Sequence, residues 1–230
     1  MSWHASKQSP LTPRYESMLS DGVQPYLKRR GFTKSGSLFR RRRGSLSDLI
    51  GFQANWHNDV TPWHAFFVNV GVGLSAEIDA PCPGHHCQVH PRDGYLLDRR
   101  WESVVNDLPY QLRFDHTTDM TSFSAELCSG IASTLEKLER IDSTAALERY
   151  AVGNDPLIQY EKTCCYLAAT DDIETLTIYV ALLRDWVGHQ DRWSIFSRQI
   201  SAATGSWAST LREQGLLDPV DRPDSFTVGS

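Results

Sequence analysis

The stretch Phe66-Phe67-Val68-Asn69-Val70-Gly71-Val72-Gly73-Leu74 decides the fold class. Phe66, Val68, Val70, Val72 and Leu74 alternate with Phe67, Asn69, Gly71 and Gly73, a period of two that sends the two sets to opposite faces of a strand. Upstream, Ile50, Phe52, Ala54 and Trp56 alternate in the same way with Gly51, Gln53 and Asn55, and Ser37 to Arg42 adds a short strand before them. A loop around Asn58 to Pro62 joins the two longer strands. Ahead of all three lies Thr12-Pro13, a cap followed by proline at the first helical position, and then Tyr15, Met18, Leu19, Val23, Tyr26 and Leu27 at helical spacing. Pro25 has no amide hydrogen and its ring crowds the preceding turn, so a kink or restart is expected near Asp21-Gly22. Gly31 is placed to end the helix with a positive φ, after which Phe32 turns into the core. One helix followed by strands on short connections predicts an antiparallel sheet with the helix on its apolar face and Gln53, Asn55 and Asn69 on the other.

From Ala80 to Gly94 the composition turns to Pro, Gly, His and Cys without periodicity, which predicts a loop. Leu96 to Leu108 is expected as a helix, and Leu112 with Phe114 as a further short strand. Thereafter the period is helical: Phe123, Leu127, Ile131, Leu135 and Leu138, then Ile141; Leu157, Tyr160, Cys164 and Leu167 behind the cap Asp155-Pro156; Ile173, Leu176, Val180, Leu183 and Val187; and Trp193, Phe196, Ile200, Ala203, Trp207 and Leu211. The expected architecture is α+β: an N-terminal helix packed on an antiparallel sheet of three or more strands, then a mostly α-helical C-terminal half. Residues 1–141 are read as the α+β domain, 142–217 as a helical domain or extension, and 218–230 as a flexible tail.

A chain of 230 residues fits one large domain or two small ones, and 40% hydrophobic residues with 22% charged excludes a disordered composition. No apolar run approaches membrane-spanning length and Met1 to Lys7 lacks the core of a signal peptide, so a cytoplasmic protein is expected. Five cysteines, an odd number, do not make a disulfide scaffold; they are expected as thiols or metal ligands. The formal charge of −5 is uneven, +4 over residues 1–80 and −9 over 81–230. Lys28, Arg29, Arg30, Lys34, Arg40, Arg41, Arg42 and Arg43 place eight cations and no anion within residues 28–43. Such a block attracts phosphate or an acidic protein, and it equally fits a solvated hairpin edge whose charge discourages aggregation.

The run Val23 to Arg40, with its helix, Gly31-Phe32, basic Lys34, Gly36 and aromatic-Arg strand, is similar to the opening of the domain-of-unknown-function family 4304. Asp48 to Asn55 resembles that family's second strand, and Phe66-Phe67-Val68-Asn69-Val70-Gly71-Val72 its Phe-x-Val-Asn-Leu-Gly strand. The resemblance covers residues 14–75 well and 76–141 loosely. It implies a bacterial-type α+β domain and carries no activity, cofactor or partner.

Of the segments able to do chemistry, Cys82-Pro83-Gly84-His85-His86-Cys87-Gln88-Val89-His90 is the densest. Cys82, His85, His86, Cys87 and His90 offer zinc ligands, although no distant Cys/His pair completes the usual clip and the adjacent histidines aim poorly at one ion. The Gly-x-Ser-x-Gly, phosphate-loop, Gly-x-Gly-x-x-Gly and His-Glu-x-x-His signatures are absent. Cys164 and Cys165 fall on a helix, where Cys packs as a small apolar residue. Trp186, Trp193 and Trp207 lie on helical stripes and are expected in the core, whereas Trp56 and Trp63 flank the hairpin loop, where Trp can anchor a partner. The leading expectation is a non-enzymatic protein-binding module, of a kind that suits toxin neutralisation or defence, using Gln53, Asn55, Trp56, Trp63 and Asn69. The alternatives are nucleic-acid binding through residues 28–43 and a zinc-dependent enzyme built on residues 82–90.

Overall fold

The computed structural model describes residues 9–75, 95–153, 157 and 159–219. They form two compact units that part between Leu147 and Glu148. In the first, α1 (Thr12–Ser17) runs through a π-helical turn (Met18–Val23) into α2 (Gln24–Lys28). Gln24 donates its amide to the Leu19 carbonyl five residues back. That wider ladder relieves the clash Pro25 would make with the turn before it, so the expected break at Asp21-Gly22 takes the form of a π turn. The helix stops in a Schellman motif: Gly31 adopts φ +84°, its amide reaches Lys28 O at 3.0 Å, and Phe32 N–H bonds Leu27 O at 3.1 Å.

Six antiparallel strands follow: β1 (Thr33–Ser35), β2 (Leu38–Arg43), β3 (Leu46–Ala54), β4 (His64–Leu74), β5 (Tyr95–Arg100) and β6 (Leu112–Phe114). They pair in the order β1-β2-β3-β4-β5. β5 and β6 share one edge of β4, β5 beside Asn69 to Gly73 and β6 beside His64 to Phe66. The helix expected over Leu96 to Leu108 is thus a strand followed by a single 3-10 turn, Trp101–Ser103. The free edge of β4 offers hydrogen bonds that outweigh a weak local helical spacing, and Tyr95, Leu96 and Leu97 are all buried there.

Register puts Phe39, Ile50 and Val70 in one row and Phe52 with Val68 in the next, all buried. Over this face lie the N-terminal helix and α3 (Met120–Glu139), whose first amides are capped by Asp119. Phe66 contacts Tyr15 and Phe123, and the Arg14 guanidinium donates to the carbonyls of Asp115, His116 and Thr118 at 2.8 to 3.1 Å, tying α1 to the lead-in of α3. A Cβ at Gly22 would stand 2.9 Å from Ser124 Oγ, so only glycine lets the π turn meet α3 this closely.

At one end of the same face the register sets Arg41 opposite Asp48. Asp48 is fully buried and accepts Nε and Nη2 of Arg41 at 2.9 and 2.7 Å and Nε and Nη2 of Arg43 at 2.8 Å each. The outer edges of both guanidiniums reach the end of α3: Arg41 to Glu139 Oε1 at 2.9 Å, Arg43 to Leu138 O at 3.3 Å and Ile141 O at 3.1 Å. Arg43 thus adds a donor to carbonyls at the C-terminal end of the helix, where the dipole favours a cation, and Arg41 pairs with a carboxylate on its last residue. At the other end, His64 is buried with its ring stacked between Tyr15 (4.6 Å) and Phe114 (5.3 Å). Neither ring nitrogen has a partner among the described residues.

Beyond α3 come α4 (Thr144–Gly153), α5 (Tyr160–Ala169), α6 (Ile173–Val187), α7 (Trp193–Thr204), a 3-10 turn (Gly205–Trp207) and α8 (Ala208–Glu213). The second unit packs Leu167, Leu176, Tyr179, Val180, Leu183, Val187, Trp193, Ile200 and Leu211 into its own core, and Asp172 caps α6. Trp193 takes its expected core place, Trp207 is half-buried, and Trp186 is 48% exposed on the far side of α6. Cys164 is a fully buried free thiol, as expected; Cys165 is disulfide-bonded, against the expectation of thiols or metal ligands. Among the described residues no helix is long and apolar enough to cross a membrane.

Asp48→Asn removes a charge that two half-hidden guanidiniums face, and is expected to cost about 3–5 kcal/mol in urea unfolding. Replacing the trio together, Arg41→Met, Asp48→Leu and Arg43→Met, is expected to cost less than Asp48→Asn alone; a larger loss in the triple variant would contradict the clamp. Burial also lowers the His64 pKa from 6.5. The unfolded chain then binds the proton more readily than the fold does, so the His64 contribution to stability is complete above about pH 6.5 and declines as the pH drops through that value toward the folded pKa. Denaturation midpoints followed from pH 7.5 to 5 are expected to fall in the parent and to fall less in His64→Phe, with a difference in slope of at most about 1.4 kcal/mol per pH unit.

Candidate docking surface

The alternation that sends Phe66, Val68 and Val70 under the helices sends Trp63, Phe67 and Asn69 to the opposite face. Neighbouring strands complete the row: Gln53 pairs with Phe67, Asn69 with Arg100, and Ala65 with Arg113. Side chains confirm the grouping. The Arg100 guanidinium lies 4.2 Å over the Phe67 ring, Tyr110 meets Phe67 edge-on at 5.3 Å, Arg113 lies 5.7 Å from the Trp63 ring, and Asn69 Nδ2 donates to Gln53 Oε1 at 3.4 Å. Away from the hairpin tip the sheet's own residues pack on this face; the Tyr95 ring would lie only 3.1 Å from a Cβ at Gly71.

The hairpin loop is pinned from within. Asn58 is buried and acts as a false strand residue, donating Nδ2 to Ala65 O at 2.9 Å and accepting the Ala65 amide at 2.8 Å. Asn55 N–H bonds the same carbonyl at 2.9 Å, its Oδ1 accepts the His57 amide at 3.0 Å in an Asx turn, and Thr61 Oγ1 donates to Trp63 O at 2.8 Å. This rigid loop holds out Trp56, 83% exposed, and Val60, 74%; Tyr110 is 63% exposed and Trp63 39%.

Of the sequence-derived candidates, Gln53, Trp63 and Asn69 share this face, Trp56 is exposed in the hairpin loop, and Asn55 serves the turn. Phe67, Arg100, Tyr110, Arg113 and the anchoring Asn58 were missed. Phe67 was legible from its parity with Asn69. Arg100, Tyr110 and Arg113 needed β5 and β6 in place, which the helical reading of Leu96 to Leu108 obscured.

The basic segment is dispersed. Arg41 and Arg43 are held on Asp48, the Arg30 guanidinium lies 3.8 Å over the Tyr26 ring, and Lys34 lies 5.9 Å from the Phe39 ring. Lys28 and Arg29 are exposed at the end of α2, while Arg40 and Arg42 point to the face of β2 opposite Arg41 and Arg43. A groove of about 800 Å³ runs between the N-terminal helix and α3, lined by Asp21, Tyr26, Arg29, Thr121, Ser124 and Cys128 among others. Hydrogen bonds from Ser17 and Ser20 hold the Asp21 carboxyl below its usual range, and burial pushes the Cys128 thiol up, the reverse of nucleophile activation. Among the described residues no group of three or more His, Cys, Asp and Glu gathers as a metal site. Cys82, His85, His86, Cys87 and His90, the candidate zinc ligands, lie outside the described residues.

No curated protein and no solved structure matches the chain. A family model described as "Domain of unknown function (DUF4304)" matches residues 23–139, from the end of the π turn to the last residue of α3. That span takes in the whole sheet, the Asp48 clamp and the aromatic face, so the chain belongs to the DUF4304 family.

Proposed function

We propose that the protein is a protein-binding module that docks its partner on the sheet face and hairpin loop formed by Gln53, Trp56, Val60, Trp63, Phe67, Asn69, Arg100, Tyr110 and Arg113. One observation carries the reading: Trp56, Val60, Trp63 and Tyr110 are 83%, 74%, 39% and 63% exposed beside a sheet whose Phe39, Ile50, Phe52, Phe66, Val68, Val70 and Val72 are buried. A cluster of large apolar groups held out by a rigid loop is costly to leave in water and is characteristic of interaction sites. The composition agrees. Aromatic residues and Arg are enriched in the centres of protein interfaces, and Lys, Asp and Glu, absent from these nine positions, are depleted there. The nucleic-acid alternative is less well supported, because Arg41 and Arg43 are already engaged with Asp48.

The test is capture from native-host lysate with nuclease present, comparing variants. Trp56→Ala with Tyr110→Ala is expected to weaken binding of the captured protein at least 30-fold, about 2 kcal/mol, while shifting the melting temperature little because both side chains are exposed. Lys28→Glu with Arg29→Glu is expected to leave capture unchanged. Recovery of nucleic acid that depends on Lys28 and Arg29 and ignores Trp56 and Tyr110 would overturn the reading.

A further inference from the structure

Building on that docking surface, we propose that Arg100 is its anion anchor, receiving a carboxylate of an acidic, apolar peptide segment on the partner. Arg100 stands at the middle of the face, opposite Asn69 in the register, with its guanidinium carbon 4.2 Å from the centre of the Phe67 ring. Stacking uses the faces of the guanidinium and leaves its edge free for in-plane hydrogen bonds, the geometry that suits a planar carboxylate. That edge is unused here: Nη1 is shielded from water and has no hydrogen-bond partner among the described residues, and the group forms no ion pair among them. Nη1 itself is out of a partner's reach, so an incoming carboxylate would be met by the accessible part of this half-buried guanidinium.

The surroundings favour a carboxylate on a peptide over a phosphate chain. Asn69 is buried, while Gln53 beside it is exposed and tied to it by a long 3.4 Å bond, so the Gln53 amide can turn toward a backbone lying across the sheet. Arg113, bonded to Gln111 at 2.7 Å, adds a second cation at the rim. A nucleic-acid strand would need a continuous basic track, whereas among the described residues this face carries the separate cations Arg100 and Arg113.

A random linear peptide display library panned against the full chain tests this. Selected peptides that lose binding in Trp63→Ala or Tyr110→Ala are expected to share an Asp or Glu beside aromatic or aliphatic residues. For a synthetic peptide of that set, Arg100→Gln is expected to raise Kd at least 10-fold and Arg100→Lys several-fold, with melting temperatures close to the parent's. Changing the peptide's acid to its amide is expected to cost as much in the parent and almost nothing more in Arg100→Gln, a coupling that simple loss of packing would not produce. Peptides that need Trp63 and Tyr110 but show no acidic residue, or no coupling to Arg100, would overturn the anchor and leave the docking surface standing. A library yielding no peptide dependent on this face would overturn both, as would an oligothymidylate that displaces the peptides in a salt-sensitive way.

Discussion

The buried carboxylate of Asp48 is the constraint on which the first unit depends. An unpaired charge at that depth would be prohibitive, so β2 has to present Arg41 and Arg43 directly beside it, and both guanidiniums have to reach the end of α3. A slip of one residue between β2 and β3 would send both arginines to the other face and leave Asp48 alone under the helix. The clamp therefore sets the register of the sheet, the place where α3 ends and, through these, which face of the sheet the helices cover. It also removes two of the eight cations in residues 28–43 from any role at the surface.

With one face committed, the other divides along its length. Tyr95 packs against Gly71, and Leu38 packs against Gly51 in the row that continues to Asn69 and Arg100, so there the sheet covers itself. Toward the hairpin tip no such residue returns; instead Phe67, Tyr110 and Trp63 stand among Arg100 and Arg113, and the loop beyond them is fixed by Asn58 instead of by burial of its own aromatics. Rigidity and exposure thus coincide at one place. That combination lowers the ordering cost of binding, which is why it points to recognition more than to an idle surface.

Much of this was legible in the residues. The period of two in Ile50 to Trp56 and Phe66 to Leu74 located the central strands and their faces, Gly31 marked the helix stop, and the helical stripes of the C-terminal half were clear. The local period failed where tertiary context ruled: Tyr95 to Arg100 became a strand because β4 had an edge to fill, and Pro25 produced a π turn where a kink was expected. Trp186 follows a helical stripe yet faces outward, because α6 already buries Leu176, Tyr179, Val180, Leu183 and Val187 on its other side. The candidate surface was half visible. Gln53 and Asn69 lie on consecutive strands and could be placed by parity, and Trp56 and Trp63 by the loop between them, but Arg100, Tyr110 and Arg113 come from β5, β6 and the segment joining them, whose pairing no local pattern specifies.

The most direct test of the division between faces is hydrogen exchange, read by mass spectrometry, on the chain alone and in complex with the protein it captures from native-host lysate. Slowed exchange confined to residues 53–69 and 98–113, with residues 28–43 unchanged, is the predicted result. Protection over 28–43 or over the helices of the second unit, with 53–69 exchanging as in the free chain, would contradict it.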